Sequence, residues 1–391
     1  MPTRFARPPS IRTGTTRRRV MLMLGAAGVA WPGVGGAQGA PRWVIGQSAA
    51  LSGPLGPLGA EMHHGARVGF DAVNARGGVH GRLIELRVAD DAYSAPRTVE
   101  NVKALMADRQ LLALFNCMGT PMIEAILPAV TQTGIPFFAP FSGALSIRPR
   151  GARNVFPIRM SYPEEAEALV HHLHTISLRR LGVVYQNNSF GAEILEGVRQ
   201  ALAKRGLPEA VAAPVESSGD GADAAAQTMV SAGRLEAVLI ASAGKPAINT
   251  VHALRARSRG LSLYGLSVLS SSSTVKALGE QGVGMAVSQV MPSPDSTTMP
   301  VVRAYREAWA ASGTELQPSY LGLEGFINAK VFVEALRRAG PKADWATFNE
   351  AVWSVRRFDV GGFEVSFTEP GASASRFIEL TMLSRNGRFL R

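Results

Sequence analysis

From residue 42 onward the chain alternates short apolar runs with longer segments of helical periodicity, and this alternation limits the fold more than any other feature. Residues 43–50, 82–89, 111–115 and 136–139 read as strands, by two-residue alternation or by apolar runs of strand length. Between them, 61–75, 98–107 and 122–132 read as helices, the first with Val68, Phe70 and Val73 among its apolar positions. Strands joined through helices need crossover connections, which implies a parallel sheet covered on both faces. A second series follows Pro163, with helices over 164–177, 192–205, 222–232 and 248–257 and strands over 181–185, 210–215, 237–241 and 261–266. At roughly 120 residues each, the two series predict two lobes. The fold class is therefore α/β, with two doubly wound parallel-sheet lobes. A Pro/Ser cluster over 291–298 reads as a linker, followed by helices over 301–312 and 319–339 and a β-rich tail over 358–389.

The charge balance points elsewhere at first. Lys and Arg number 41 against 30 Asp and Glu, a net +11 that would suit a nucleic-acid partner. Six of those arginines (Arg4, Arg7, Arg12, Arg17, Arg18 and Arg19) fall in the first forty residues, which hold no acid, so the remainder carries 35 against 30. No basic stripe with interleaved aromatics follows, and nucleic acid is not an expected partner. The head instead reads as an export signal over residues 1–37: a basic stretch, then the short apolar run 20–30, then small residues at Gly35 and Ala37 that suit cleavage. Thr16-Arg17-Arg18-Arg19-Val20-Met21 resembles a twin-arginine motif, and the general export route stays open beside it. A buried N-terminal helix is the alternative. No later run reaches the length of about eighteen apolar residues that spans a bilayer, so the mature chain is expected to make no stable membrane insertion. Cys117 is the single cysteine, which rules out an intrachain disulfide and a cysteine-based zinc site.

Open α/β sheets bind ligands at the carboxyl ends of their strands, where helix N-termini present free N–H groups. Two loops there stand out. Residues 116–121 (Asn-Cys-Met-Gly-Thr-Pro) follow one strand and 140–144 (Pro-Phe-Ser-Gly-Ala) the next. Together they would form a carboxylate-binding nest; plain turn and cap chemistry is the other reading. Enzyme motifs are absent from the sequence: no phosphate-cradling Gly-x-x-x-x-Gly-Lys, no Gly-x-Ser-x-Gly and no His-Glu-x-x-His. His171, His172 and His174 fit a solvated helix face better than a metal site. Asp90 and Asp91 are neighbours on a strand and point to opposite faces, so they do not share a proton. Cys117 reads as a packed small residue. No catalytic residue, metal or cofactor is expected.

The blocks Ile45-Gly46, Leu51-Ser52-Gly53-Pro54, 71–81 (Asp-Ala-Val-Asn-Ala-Arg-Gly-Gly-Val-His-Gly) and Asp90-Asp91 resemble the opening of the periplasmic leucine/isoleucine/valine-binding protein family. Residues 115–121, 140–144, 185–191, 318–330 and 377–388 resemble later blocks of that family in the right order. These are type I substrate-binding proteins of ABC importers. The resemblance implies two lobes joined by three crossings, placed here near 156–159, 289–293 and 358–362. It implies lobe 1 over 42–157 and 292–359, lobe 2 over 158–291 and 360–391, and hinge closure on a ligand held between them. The implied partners are a small carboxylate-bearing ligand and ABC permease subunits, and the implied state is a periplasmic monomer. A sensory protein of the same fold, feeding a signalling partner, is the alternative.

Carried over position by position, the first-lobe contacts are Leu58, Thr120, Phe141, Ser142 and Gly143, with Thr120, Ser142 and nearby N–H groups on the carboxylate. The second lobe gives Phe190, Ala243 and Ser267, with Phe190 against the ligand side chain. The chain departs from leucine-type receptors in three ways. Ser267 stands where they place a Glu for the ligand ammonium, Asn187-Asn188 replaces an acidic pair, and Leu58 and Ala243 stand where aromatics are frequent. The ligand is therefore an amino acid or an organic or aromatic acid, and the departures favour an acid without an α-ammonium. Lys245 offers a second anion contact, or else is an exposed lysine at a turn.

Overall fold

The computed structural model describes residues 42–391. The export reading of residues 1–37 lies outside the described residues.

The first sheet is built from β1 (Arg42–Ala49), β2 (Leu83–Asp90), β3 (Leu111–Phe115), β4 (Phe137–Phe138) and β5 (Val155–Phe156), in the spatial order 2-1-3-4-5. All four pairings are parallel, with β1 and β2 in register from Arg42 opposite Leu83 to Ala49 opposite Asp90. Its connecting helices are α1 (Gly56–Asn74), α2 (Ala95–Met106) and α3 (Thr120–Thr133). Parallel sheets need both faces covered. Accordingly β1 is buried at every position after Arg42, and β3 along its whole length.

The second lobe repeats the plan. Its helices are α4 (Tyr162–Thr175), α5 (Ser189–Ala203), α6 (Ala222–Ser231), α7 (Lys245–Arg257) and α8 (Ser272–Leu278). Its strands are β6 (Leu181–Gln186), β7 (Val211–Val215), β8 (Ala237–Ala241), β9 (Ser262–Gly265) and β10 (Ala286–Gln289). They lie in the order 7-6-8-9-10, the same topology as the first sheet. Pro214 sits in β7, at the sheet edge, where a missing N–H costs no central ladder bond. The chain then returns to the first lobe with α9 (Pro300–Ala311), α10 (Tyr320–Ala339) and α11 (Trp345–Trp353), where α10 packs on α1 and α11 on α10. A short antiparallel hairpin follows, β11 (Phe358–Asp359) with β12 (Glu364–Val365). Finally β13 (Glu379–Leu383) and β14 (Phe389–Leu390) extend the second sheet antiparallel beyond β10.

The two-lobed α/β expectation holds, with corrections of detail. The second strand series does not close at 261–266; α8 and β10 carry it one strand further. Helix α11 has no counterpart in the periodicity reading. Six helices start two to five residues earlier than apolar periodicity places them: α5 begins at Ser189 behind its Asn188 cap, and α1, α2, α3, α4 and α7 each carry a proline at the first or second position. There the ring preorganises φ and the missing N–H has no helical acceptor to lose.

The first-lobe core is aromatic. The Phe332 ring lies 5.9, 5.7, 5.3 and 4.7 Å from those of Phe70, Phe115, Phe138 and Phe348. Helices α1 and α10 approach closely through glycines: a Cβ on Gly65 would fall 1.8 Å from the Gly322 carbonyl oxygen, and one on Gly325 2.1 Å from that of Met62. Backbone cannot yield to such overlap without parting the helices. Gly65→Ala is therefore expected to destabilise the fold by about 1–3 kcal/mol or more in chemical unfolding. Gly151→Ala, whose added methyl meets nothing within 4 Å, is expected to be neutral. Equal stability of the two variants would contradict this packing.

Candidate functional site: a cavity at the carboxyl ends of both sheets

In an order 2-1-3-4-5 the connections leave the sheet in opposite directions on either side of the first strand, and a crevice opens at the carboxyl ends there. Both sheets have this switch point, between β1 and β3 and between β6 and β8. A cavity of about 20 Å³, room for about one water, lies where the two meet. Its wall draws on the connections after several strands of each sheet. Leu55 and Leu58 follow β1, Tyr93 follows β2, Met118, Gly119 and Thr120 follow β3, and Phe141 follows β4. Tyr162 follows β5, Phe190 follows β6, Ala243 follows β8 and Val268 follows β9. A larger groove of about 540 Å³, lined by Ser270, Ser272, Ser293–Asp295 and 383–389 among others, shares no lining residue with this cavity.

The first-lobe loops are laced to each other. The Gly119 N–H donates to the Phe141 carbonyl at 3.2 Å and the Phe141 N–H to the Cys117 carbonyl at 2.9 Å. Gly119 has φ +97°, and a Cβ there would strike the Tyr93 ring at 2.8 Å, so glycine is required on both counts. Thr120 opens α3 and is buried, with its hydroxyl 2.8 Å from that of Ser142, whose oxygen also accepts the Ala144 N–H at 3.1 Å. In the first turn of α3, Pro121 has no N–H and the Ile123 N–H donates to Gly119, which leaves the Thr120 and Met122 N–H groups, with the Thr120 hydroxyl, to suit an anionic head group. Cys117 is buried and accepts the Ser48 N–H; burial pushes its thiol up to about 12, which leaves it unreactive.

Five of the eight expected site residues, Leu58, Thr120, Phe141, Phe190 and Ala243, line the cavity. Ser142, Gly143 and Ser267 do not; they stand behind its wall. The Gly143 carbonyl accepts the Tyr162 N–H at 2.7 Å, and a Cβ at Gly143 would lie 2.6 Å from the Tyr162 ring. Ser267 is held by Glu165, which accepts its N–H at 2.9 Å and its hydroxyl at 3.0 Å. Lys245 is exposed at the start of α7 and is not part of the wall. Asn188 caps α5 by accepting the Gly191 N–H, and Asn187 donates to Glu216. Asp90 and Asp91 face different partners: Asp90 accepts from Leu51, Ser52 and Ala92, and Asp91 from Ser48, Tyr93 and Thr98. Burial would raise Asp90, but the Ser52 hydroxyl and three backbone N–H donors outweigh it and hold its carboxyl at about 2. Both aspartates thus fix the loops that present Leu55 and Tyr93. Among the described residues no three His, Cys, Asp or Glu side chains gather as metal ligands.

Sequence reasoning missed Leu55, Tyr93, Tyr162 and Val268 in the wall, and Arg159 behind it. The Arg159 side chain is 1% exposed and pairs with Glu165 at 3.6 Å and with Glu324 of α10 at 3.7 Å. It also donates to the Ser267 hydroxyl, and its guanidinium carbon lies 4.8 Å from the Phe141 ring centre and 5.8 Å from that of Tyr162. Its Nε and Nη1 find no hydrogen-bond acceptor among the described residues. Arg148 braces the same region, donating to the Arg159 carbonyl at 3.0 Å and the Ser142 carbonyl at 3.4 Å. An isolated arginine before a helix carries no periodic or motif signal that would mark it.

Carboxylates also tie the lobes together around the cavity. Glu61 of α1 is fully buried and accepts the Ser272 N–H at 2.9 Å, the Ser272 hydroxyl at 2.8 Å and the Ser273 N–H at 2.9 Å. Glu124 of α3 accepts the Ser189 hydroxyl at 2.6 Å, and Glu193 of α5 accepts the N–H groups of Leu145 and Ser146. Gln186 reaches across to the Tyr93 hydroxyl at 3.5 Å.

The structure is thus a two-lobed α/β protein with a mostly apolar cavity between opposed switch points. The profile of the periplasmic binding protein family matches residues 43–388, and the chain belongs to that family. It is thus a binding protein, not an enzyme. A substrate-binding periplasmic protein of Ralstonia solanacearum is 32% identical, with a TM-score of 0.84 over 89% of this chain and 99% of its own. The Leu/Ile/Val-binding protein BraC3 of Rhizobium johnstonii is 23% identical over 313 residues, 79% of this chain and 81% of its own. A Leu/Ile/Val-binding protein homolog of Brucella melitensis is 22% identical over 166 residues, and there the match spans only 45% of the relative's length. Among the described residues no helix is long and apolar enough to cross a membrane.

The buried ion cluster makes a pH prediction. Burial lifts the Glu324 carboxyl from its ordinary 4.5 to about 7, more than Arg159 opposite can offset, and Glu165 adds repulsion. A carboxyl that holds its proton more tightly when folded draws stability down as pH rises between those values. Glu324→Gln removes this titration. Its unfolding midpoint relative to the parent is therefore expected to climb between about pH 5 and about pH 8. A difference that stays level across that range would contradict the assignment.

Proposed function

We propose that this chain is the periplasmic solute receptor of a branched-chain amino-acid-type ABC importer, and that it binds a small carboxylate-bearing ligand between its lobes by hinge closure. The observation that carries this reading is the cavity itself: a mostly apolar wall from the strand ends of both sheets, with Thr120 at the start of α3. The carboxylate sits at Thr120 and the α3 N–H groups, with Ser142 fixing the Thr120 hydroxyl from behind. The ligand body packs on Leu58, Phe141, Phe190 and Ala243. Gly143 and Ser267 shape the site through Tyr162 and Glu165 instead of touching the ligand directly.

The expected lobe boundaries at 157/158 and 291/292, with crossings near 156–159 and 289–293, fit the element order, in which the chain passes between the two sheets after β5 and after β10. The third boundary, expected at 359/360 with a crossing near 358–362, falls later, between Phe367 and β13: β12 pairs with β11, and the Phe367 ring lies 6.1 and 5.9 Å from those of Phe138 and Phe156 in the first-lobe core. Touching both lobes, a ligand favours the closed form through its differential affinity for that form. Residues 1–37 direct export, and the mature chain works as a monomer that delivers ligand to permease subunits. The names of the relatives, Leu/Ile/Val-binding proteins and a substrate-binding periplasmic protein, support this role.

Thermal unfolding against a panel of amino acids and aliphatic and aromatic carboxylates tests the reading. A ligand at 100 times its Kd stabilises the folded state by about 2.7 kcal/mol, and at least one carboxylate is expected to raise the midpoint. Thr120→Val keeps the shape and removes the hydroxyl, and is expected to weaken that carboxylate about tenfold, or ~1.4 kcal/mol. Unchanged affinity would sink the assignment of Thr120 to the head group.

A further inference from the structure

A cleft that takes carboxylates can take amino acids, or acids without an ammonium, and choosing between them rests on the carboxylate reading of the site. An α-ammonium brings a full charge and three donors into the cleft. Buried there without an acidic partner it is strongly disfavoured. The cavity wall holds no charged side chain; its polar side-chain atoms are the hydroxyls of Tyr93, Thr120 and Tyr162.

Four acidic side chains are buried among the described residues; none of them lines the cavity, three accept hydrogen bonds from neighbours, and Glu324 has the ion pair with Arg159 alone. Glu61 is filled by the N–H groups and hydroxyl of Ser272 and Ser273. Asp91 is filled by Ser48, Tyr93 and Thr98. Glu165 accepts from Ser267 twice and from the Ser288 hydroxyl at 2.6 Å, and pairs with Arg159. Glu324 pairs with the same guanidinium at 3.7 Å. Of the four aromatic rings in the wall, Phe141 and Tyr162 already have the Arg159 cation near them, at 4.8 and 5.8 Å, which leaves Tyr93 and Phe190 for a second cation, and a ring face replaces a carboxylate only weakly.

We propose that the cleft selects monocarboxylates with an apolar body and no α-ammonium, and that Arg159 sets this selection by engaging Glu165 and Glu324 behind the Phe141–Tyr162 wall. Arg159 is a positioning residue: it acts through the two glutamates and through Ser267, not by touching the ligand head group.

Two matched pairs test it by calorimetry on the purified protein: 4-methylpentanoate against L-leucine, and 3-phenylpropanoate against L-phenylalanine. Each pair shares its carbon skeleton and differs by the ammonium. The acid is expected to bind at least about tenfold tighter than its amino-acid twin in whichever pair binds. An amino acid that binds as tightly as its twin overturns the inference and leaves the carboxylate reading standing. Failure of all four to bind overturns both. The residue is tested by the ratio, since general damage weakens both members alike. Arg159→Met combined with Glu324→Gln frees Glu165 of its cation and is expected to narrow the acid-to-amino-acid ratio about tenfold. Arg159→Lys keeps the cation and should preserve the ratio. An unaltered ratio in a folded double variant, or a collapse of the ratio in Arg159→Lys, overturns the role of Arg159.

Discussion

A parallel sheet cannot return by a tight turn, so every connection must cross a face, and all the strand-to-helix loops gather at one edge. The rest of the structure follows from that constraint applied twice. Each sheet splits its connections to opposite sides at its first strand, β1 or β6, and leaves a crevice at the carboxyl ends there. Set edge to edge, the two crevices make one cavity whose wall comes from loops on both sheets. No residue of that wall is near all the others in sequence; Leu55 and Val268 meet only because the two sheets do.

The electrostatics of the cavity follow from what stands behind it. A buried guanidinium is tolerable only with partners, and Arg159 has Glu165 on the second lobe and Glu324 on the first. That cluster lies where the chain passes from β5 to α4, so an ion bridge between the lobes sits at a passage between them. Nearer the cleft, Glu61, Glu124 and Glu193 each present a carboxylate to donors on the opposite lobe. Charge-assisted bonds of this kind exist only while the donors are in reach, so they hold the two lobes in the arrangement seen here.

Much of the fold was legible because strand and helix periods differ so plainly. The runs 111–115 and 237–241 coincide with β3 and β8, and alternation in 82–89 is β2 displaced by one residue. Helix starts were harder, because Pro57, Pro96, Pro121, Pro163 and Pro246 precede the apolar stripe and carry no periodic signal of their own. The loops at 116–121 and 140–144 could be read as a pair, and Thr120 and Phe141 do share a wall. Tyr93 could not be read: it reaches the wall from a positive-φ turn held by Asp91. Nor could Arg159, whose partners lie at distant positions in sequence and become neighbours only through the tertiary fold.

Closure of the lobes on a carboxylate held between them is the claim on which the function turns. Small-angle X-ray scattering of the protein, alone and saturated with the tightest-binding acid of the panel, tests this directly. Closure predicts a fall in the radius of gyration on saturation, reached at one equivalent of ligand per chain. A radius that stays constant while calorimetry reports full occupancy would show binding without closure, and would contradict the claim.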